Sequence, residues 1–253
     1  PLGHDRVVGA LGQGADLLGD ILAHGRTVMA FGCTGTAHAA LAAARTHCAC
    51  RVQFQRALDQ LPVVREQLAD MAAKLFTAEA VVRWAASDPA LLAERSLTAK
   101  VIASDLSGEI VDTSLQLHGG YGYIEETGVA LMSRDARITR IFEGANDVLR
   151  LHRGLMAVTR PAATEGPWSA RLAEGIAGAR ERLGSRLLRD HVALHAIGTL
   201  AMLADTALAA TLRADDEGTP EAWALAARWQ HLAEGLVPLP PSGTTALCLG
   251  GEA

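Results

Sequence analysis

Glu143 is the carboxylate around which chemistry could be built in this chain. It precedes Gly144 just ahead of a helical run, with Asn146 or Asp147 near the cap position, so a tight glycine turn can aim the acid inward. Upstream, Gln116 leads into Gly119, Gly120 and Gly122, interleaved with Tyr121 and Tyr123, and glycines there free the backbone to approach something closely. Between these two pieces lies a charged helical segment holding Arg134, Asp135, Arg137 and Arg140, which reads as an ion-paired scaffold face. On residue types and spacing alone, the glycine run also fits an ordinary turn and Glu143 a solvated loop acid. The other candidate clusters point away from chemistry. His191 and His195 stand four apart on a helical pattern but lack the glutamate of an HExxH arrangement, and Cys48-x-Cys50 is too tight for a zinc pair, so no metal is expected.

The elements that must position these residues are helices. Hydrophobic residues make up 49% of the 253-residue chain while aromatics supply only 4%, so the core must be built from Ala, Leu, Val and Ile, which suits closely packed helices. Residues 1–12 are Val-rich and glycine-punctuated and read as a strand and a turn, a short β remnant. From Gln13 to about Cys50 the pattern is a short helix and then a long one, with Gly25-Arg26 between them. The stretch Arg51-Val52-Gln53-Phe54 then breaks the helical pattern. Leu61, Val64, Leu68, Met71 and Leu75 mark a helix by their spacing of three and four, and Asp88-Pro89 ends it. A further helix runs from about Leu91 to Leu117, interrupted by Gly108 at a cost of order 1 kcal/mol. Long helices with short links predict an all-α, up-and-down bundle over residues 13–160. A Pro-bounded linker follows at 161–167, then a smaller helical extension over 168–237 and a Pro/Gly/Ser tail at 238–253.

The net charge of −5 and the lack of a basic, aromatic-laced stripe argue against nucleic acid as a partner. Four cysteines in a chain this long fit a reducing compartment, and no unbroken run of 18 apolar residues is present. The chain opens at Pro1 on what reads as the tail of an earlier domain, so a piece of a longer protein is expected.

The run from Gln116 to Arg150 resembles the C-terminal signature of the flavin-dependent acyl-CoA dehydrogenases. A Q-x-x-G-G-x-G turn, an R-D-A-R-I-x-R-I helix and an F-E-G loop ending in N-D follow here in the family's order. With the helical extension, the resemblance lies nearest the very-long-chain branch. It implies FAD as cofactor and removal of two hydrogens across the α and β carbons of a fatty acyl-CoA, with Glu143 as the base for the α proton. It places Arg26, Phe142 and Gly144 at the acyl-CoA pocket. Arg51, Gln53, Phe54, Gln116, Gly119, Gly120 and Asp147 it places at the flavin dinucleotide, Arg51 and the glycine turn serving that of a neighbouring subunit. An arginine suits a pyrophosphate because its planar fork donates two hydrogen bonds at once. Two letters depart from the family pattern. Gln55 replaces a glycine and loosens the expected turn. Ala145 replaces a threonine whose hydroxyl contacts the flavin, a loss of about 0.5–1.5 kcal/mol. The resemblance also implies a homodimer or higher oligomer, electron-transfer flavoprotein as electron acceptor and peripheral association with a membrane, while the Ala/Arg/Leu-heavy usage and the sparse cysteines point to a bacterial cytoplasmic setting. The alternative is a catalytically silent helical module of the same family, used as an assembly surface.

Overall fold

The structure is a computed structural model describing residues 6–160 and 168–234. The helix α1 (Gly14–Cys50) is a single unbroken 37-residue rod. The predicted break at Gly25-Arg26 does not occur, because one glycine costs about 1 kcal/mol while its neighbours on both sides propagate helix. Ala23, Ala30, Cys33, Ala37, Ala40, Leu41, Ala44 and Cys48 form its buried stripe. A stripe of such small side chains lets α3 (Leu92–His118) lie close, and the Ser114 hydroxyl donates to the Ala40 carbonyl at 2.9 Å.

A two-stranded antiparallel hairpin, β1 (Val52–Gln53) and β2 (Arg56–Ala57), turns the chain from α1 toward α2 (Pro62–Ala86). Its two loop residues, Phe54 and Gln55, both have positive φ (53° and 65°), the backbone of a tight type I′ turn. Gln55 therefore does not loosen the turn; it takes the left-handed backbone that glycine adopts more cheaply. Asp88 ends the link after α2 by accepting a hydrogen bond from the Ala90 N–H, and α3 follows, packed against α2.

After α3 come the one-turn helix α4 (Gly120–Tyr123), α5 (Val129–Ile138) and α6 (Asn146–Thr159). The extension supplies α7 (Ser169–Leu183), α8 (His191–Glu217) and α9 (Pro220–Glu234). One buried cluster runs without a gap through α2, α3, α6, α7, α8 and α9. At the crossing of α6 and α8 the backbones touch: a Cβ on Gly198 would fall 1.8 Å from the Arg150 carbonyl oxygen, and one on Gly154 would fall 1.9 Å from that of Leu194. The helix α8 is as hydropathic as a membrane span, yet two-thirds of that window (67%) is buried by its neighbours. Arg153 and Asp205, 5% and 6% exposed, pair at 3.2 Å, and Thr98 donates to the same carboxylate at 2.8 Å, tying α6, α8 and α3 together. Burial raises the Asp205 carboxyl above its ordinary range, with the Arg153 charge and the Thr98 hydroxyl working the other way.

Of the stretch expected as a strand and a turn, residues 6–12 form bends and a turn with no strand among them, and residues 1–5 lie outside the described residues. Val8 is 82% exposed, and among the described residues no strand lies beside it to cover it or to accept its backbone bonds. The expected linker at 161–167 and tail at 238–253 also lie outside the described residues.

Candidate active site and cofactor groove

Glu143 stands on the turn between α5 and α6, and the turn is built from left-handed backbone. Its φ is +56° and that of Gly144 is +98°. A non-glycine residue in that region persists only when its surroundings fix it. Two helices do so. From α1, the Arg26 guanidinium donates through Nε to the Glu143 carbonyl at 3.2 Å. From α3, the Lys100 ammonium donates to the Gly144 carbonyl at 2.7 Å and to the Asn146 amide oxygen at 2.6 Å. The Asn146 amide donates in turn to Ser104 Oγ and Asp105 Oδ1, both at 3.0 Å. Asp105 also pairs with Arg140 at 3.2 Å and with Arg150. Gly108 leaves room for the Arg140 guanidinium, which a Cβ there would meet at 2.3 Å. The predicted interruption of α3 is thus a docking notch in a continuous helix.

Gly25 faces the carboxylate itself. A Cβ at that position would lie 3.2 Å from Glu143 Oε2 and 3.5 Å from Oε1, so the acid rests on the bare backbone of α1. Among the described residues the Glu143 N–H has no hydrogen-bond acceptor. Burial draws Arg26 below the usual arginine value while the Glu143 charge acts the other way; His152 is likewise lowered by burial, then by Arg26. Lys100 is wholly buried, and burial brings its pKa down to about 8 against the opposing pull of Asp105. Phe142, 46% exposed, flanks the acid.

The second feature is an open groove of about 490 Å³ at the far end of α1. It is lined by Arg51, Gln53, Gln116, Gly119 and Gly120, five of the seven residues expected at a dinucleotide, together with His47, His118 and Tyr121. The His47 and His118 rings stack with centroids 4.3 Å apart, and the Arg51 guanidinium lies 5.9 Å from the Tyr121 ring centre. His118 Nδ1 lies 2.7 Å from the Ser114 carbonyl; it must donate there, which leaves Nε2 as the acceptor of the neutral ring. Burial, then His118 and Arg51, hold His47 below the ordinary histidine value. Gly119 (φ +59°) and Gly120 have open space where a side chain would be, so their backbone is reachable from the groove. Donor side chains, bare backbone and a tyrosine face suit a group that is both anionic and aromatic.

The structure thus gathers Arg26, Glu143 and Gly144 at one place and Arg51, Gln53, Gln116, Gly119 and Gly120 at another. Phe54 sits beside the groove on the hairpin turn, 80% exposed. Asp147 lies at the Glu143 end: its exposed carboxylate is 3.3 Å from His195 Nε2 and 3.6 Å from Arg150. Roughly 32 Å of helix separates Arg26 from His47, at the rise of an α-helix. Sequence reasoning missed Gly25 and Lys100. The signal for Lys100 was present: Ser96, Lys100, Ser104 and Ser107 recur at spacings of three and four on the buried side of α3.

Residues 12–155 match the family described as "Acyl-CoA dehydrogenase, C-terminal domain". Isobutyryl-CoA dehydrogenase of Dictyostelium discoideum is 36% identical over 156 residues, covering 60% of this chain and 37% of that protein. The very long-chain specific acyl-CoA dehydrogenase of Mus musculus is 34% identical over 152 residues, covering 58% of this chain and 23% of that protein. The chain therefore spans well under half the length of these relatives. A crystal structure of an acyl-CoA dehydrogenase from Bacillus anthracis, complexed with FAD, superposes with a TM-score of 0.75 at 23% identity. It covers 89% of this chain and 47% of that one, a likeness of fold that reaches past residue 155 into the extension. Glycine turn, charged helix and acid loop lie within the matched residues, and the chain belongs to the acyl-CoA dehydrogenase family, through its C-terminal helical domain.

Proposed function

We propose that this chain is the base-bearing helical part of an FAD-dependent acyl-CoA dehydrogenase acting on fatty acyl-CoA thioesters to give the trans-2-enoyl-CoA. The observation that carries the reading is the strained, triply anchored turn that sets the Glu143 carboxylate against Gly25. The α proton of a thioester is weakly acidic, so its removal needs a base at a fixed distance and charge stabilisation at the thioester oxygen. Glu143 takes the proton. Its own N–H, free of any acceptor among the described residues, suits the oxygen on which charge develops. Loss of one such donor costs about 2.7–4 kcal/mol of barrier. Arg26 fixes the peptide carrying the carboxylate, and Phe142 helps to close the pocket over it.

The chemistry a bound flavin supplies is that of a two-electron acceptor for the β hydrogen. Arg51, Gln53, Gln116 and the Gly119–Gly120 backbone would hold the dinucleotide end, with Phe54 beside them. The length of helix between this groove and Glu143 favours a dimer in which one copy's groove serves the other copy's flavin. Electron-transfer flavoprotein as acceptor, a cytoplasmic setting and peripheral contact with a membrane belong to the same reading.

The test is Glu143→Gln in the full-length protein. Flavin should stay bound while bleaching of its absorbance by acyl-CoA disappears. Retained bleaching removes Glu143 from the role of base. Ala145 is the observation that favours the silent-module reading, and a full-length protein purified without flavin would support that reading instead.

A further inference from the structure

We propose that Lys100 is the positioning residue for Glu143, a buried cation that grips the two groups following the acid and so fixes the turn on which the carboxylate stands. The inference rests on the reading of Glu143 as the base. Lys100 lies in the middle of α3, is 0% exposed and pairs with no carboxylate among the described residues. A cation in such a place is expensive unless its donors are used. Two of its three donors are spent on the Gly144 carbonyl (2.7 Å) and the Asn146 side chain (2.6 Å), flanking Ala145 within the turn that Glu143 begins.

The alternatives for such a lysine do not fit this geometry. A structural lysine would cross-link helices through a carboxylate, and a surface lysine would reach water. Lys100 instead spends its charge on one short loop. The loop needs it: Glu143 holds a left-handed φ of +56°, and Ala145, at the cap position of α6, has no side-chain oxygen to fasten the helix start. Lys100 does from α3 what a capping side chain would otherwise do from within the loop. Asn146 completes the arrangement, because its amide accepts from Lys100 and donates to Ser104 and Asp105 of the same helix. The charged and polar groups around Lys100 come from three elements: Cys33 and Arg26 of α1, Asp105 of α3 and Arg150 of α6.

The test uses the flavin-loaded full-length protein and Lys100→Met. The expected result is a fall in kcat of about a hundredfold, the size set by a misplacement near 1 Å. KM and flavin content should stay within twofold. The deuterium isotope effect for an α-deuterated acyl-CoA should increase, because proton removal becomes slower relative to the other steps. A merely structural lysine would lower the active fraction and leave that isotope effect unchanged, which overturns the proposal. Hydrogen exchange reports on the loop without reference to turnover. In Lys100→Met, amides of residues 143–149 should exchange at least tenfold faster while those of α2 keep their rates. Unchanged loop exchange also overturns the proposal. If the variant does not fold, the unmutated protein decides: the Asn146 N–H, bonded to the Arg140 carbonyl at 3.1 Å, should exchange no faster than the interior of α3. Faster exchange means the loop opens alone and Lys100 does not hold it. Should Glu143→Gln remain active while Lys100→Met loosens the loop, the reading of Glu143 as base fails and the grip of Lys100 on the turn stands.

Discussion

Glycine at position 25 gives the Glu143 carboxylate its resting place, and a single methyl group tests this. In Gly25→Ala the new Cβ would sit 3.2 Å from Oε2, against an acid whose peptide is already pinned by Arg26. The carboxylate must shift by a few tenths of an ångström or more, and kcat should fall roughly tenfold to a hundredfold with flavin content unchanged, as measured with an artificial electron acceptor. Lys100 makes a prediction about pH. Its folded-state pKa of about 8 lies below the ordinary 10.5, so between those values the unfolded chain binds more protons than the folded one. The stability contributed by this group therefore rises as pH increases from about 8 to 10.5, by about 3 kcal/mol in total. Urea unfolding at a series of pH values should show this upward slope, and Lys100→Met should lack it. At this scale the sequence was half legible. Glu143, Arg26 and the groove residues sit in motifs whose order can be read along the chain. Gly25 meets Glu143 only because the turn between α5 and α6, far away in sequence, packs against α1, and the depth of Lys100 depends on what packs around α3.

Helices set the tolerances within which those side chains work. The α6–α8 crossing leaves no space for a methyl group at Gly198, which would fall 1.8 Å from a backbone oxygen that has no rotamer to change. Gly198→Ala should destabilise the chain by about 1–3 kcal/mol or more, read as a lower urea midpoint, because the two backbones must separate. The start of α6 offers the opposite opportunity. Ala145 occupies the cap position without a capping oxygen, so Ala145→Thr should add about 1 kcal/mol of stability and slow the loss of flavin from the full-length protein. Helix positions were readable from periodicity, since apolar spacing is a local property. Two local readings failed for identifiable reasons. In sequence Gly25 reads as a helix end, whereas its purpose is close approach to Glu143, and Gln55 reads as loosening a turn that it completes with a left-handed backbone.

At the scale of the whole molecule, bundle and extension share one core and a buried ion pair, so the chain should unfold in a single transition. Two separated transitions by circular dichroism and tryptophan fluorescence would contradict a shared core. Asp205→Ala leaves Arg153 buried without its partner and should cost about 3–5 kcal/mol. The sequence announced an extension by its helical pattern. Its docking rests on glycines and on an Arg–Asp pair far apart in the chain, which no local pattern reveals. The long rod α1 carries a consequence of its own. It is a screw thread joining the acid's seat to the groove at its far end, so every residue inserted between Arg26 and His47 turns one against the other by about 100°. One added residue would put the groove on the wrong side of the molecule. Seven would nearly restore its bearing but move it outward by about 10 Å. The distance between the Glu143 turn and the groove is therefore set in whole helical turns, which leaves this helix almost no freedom to change length.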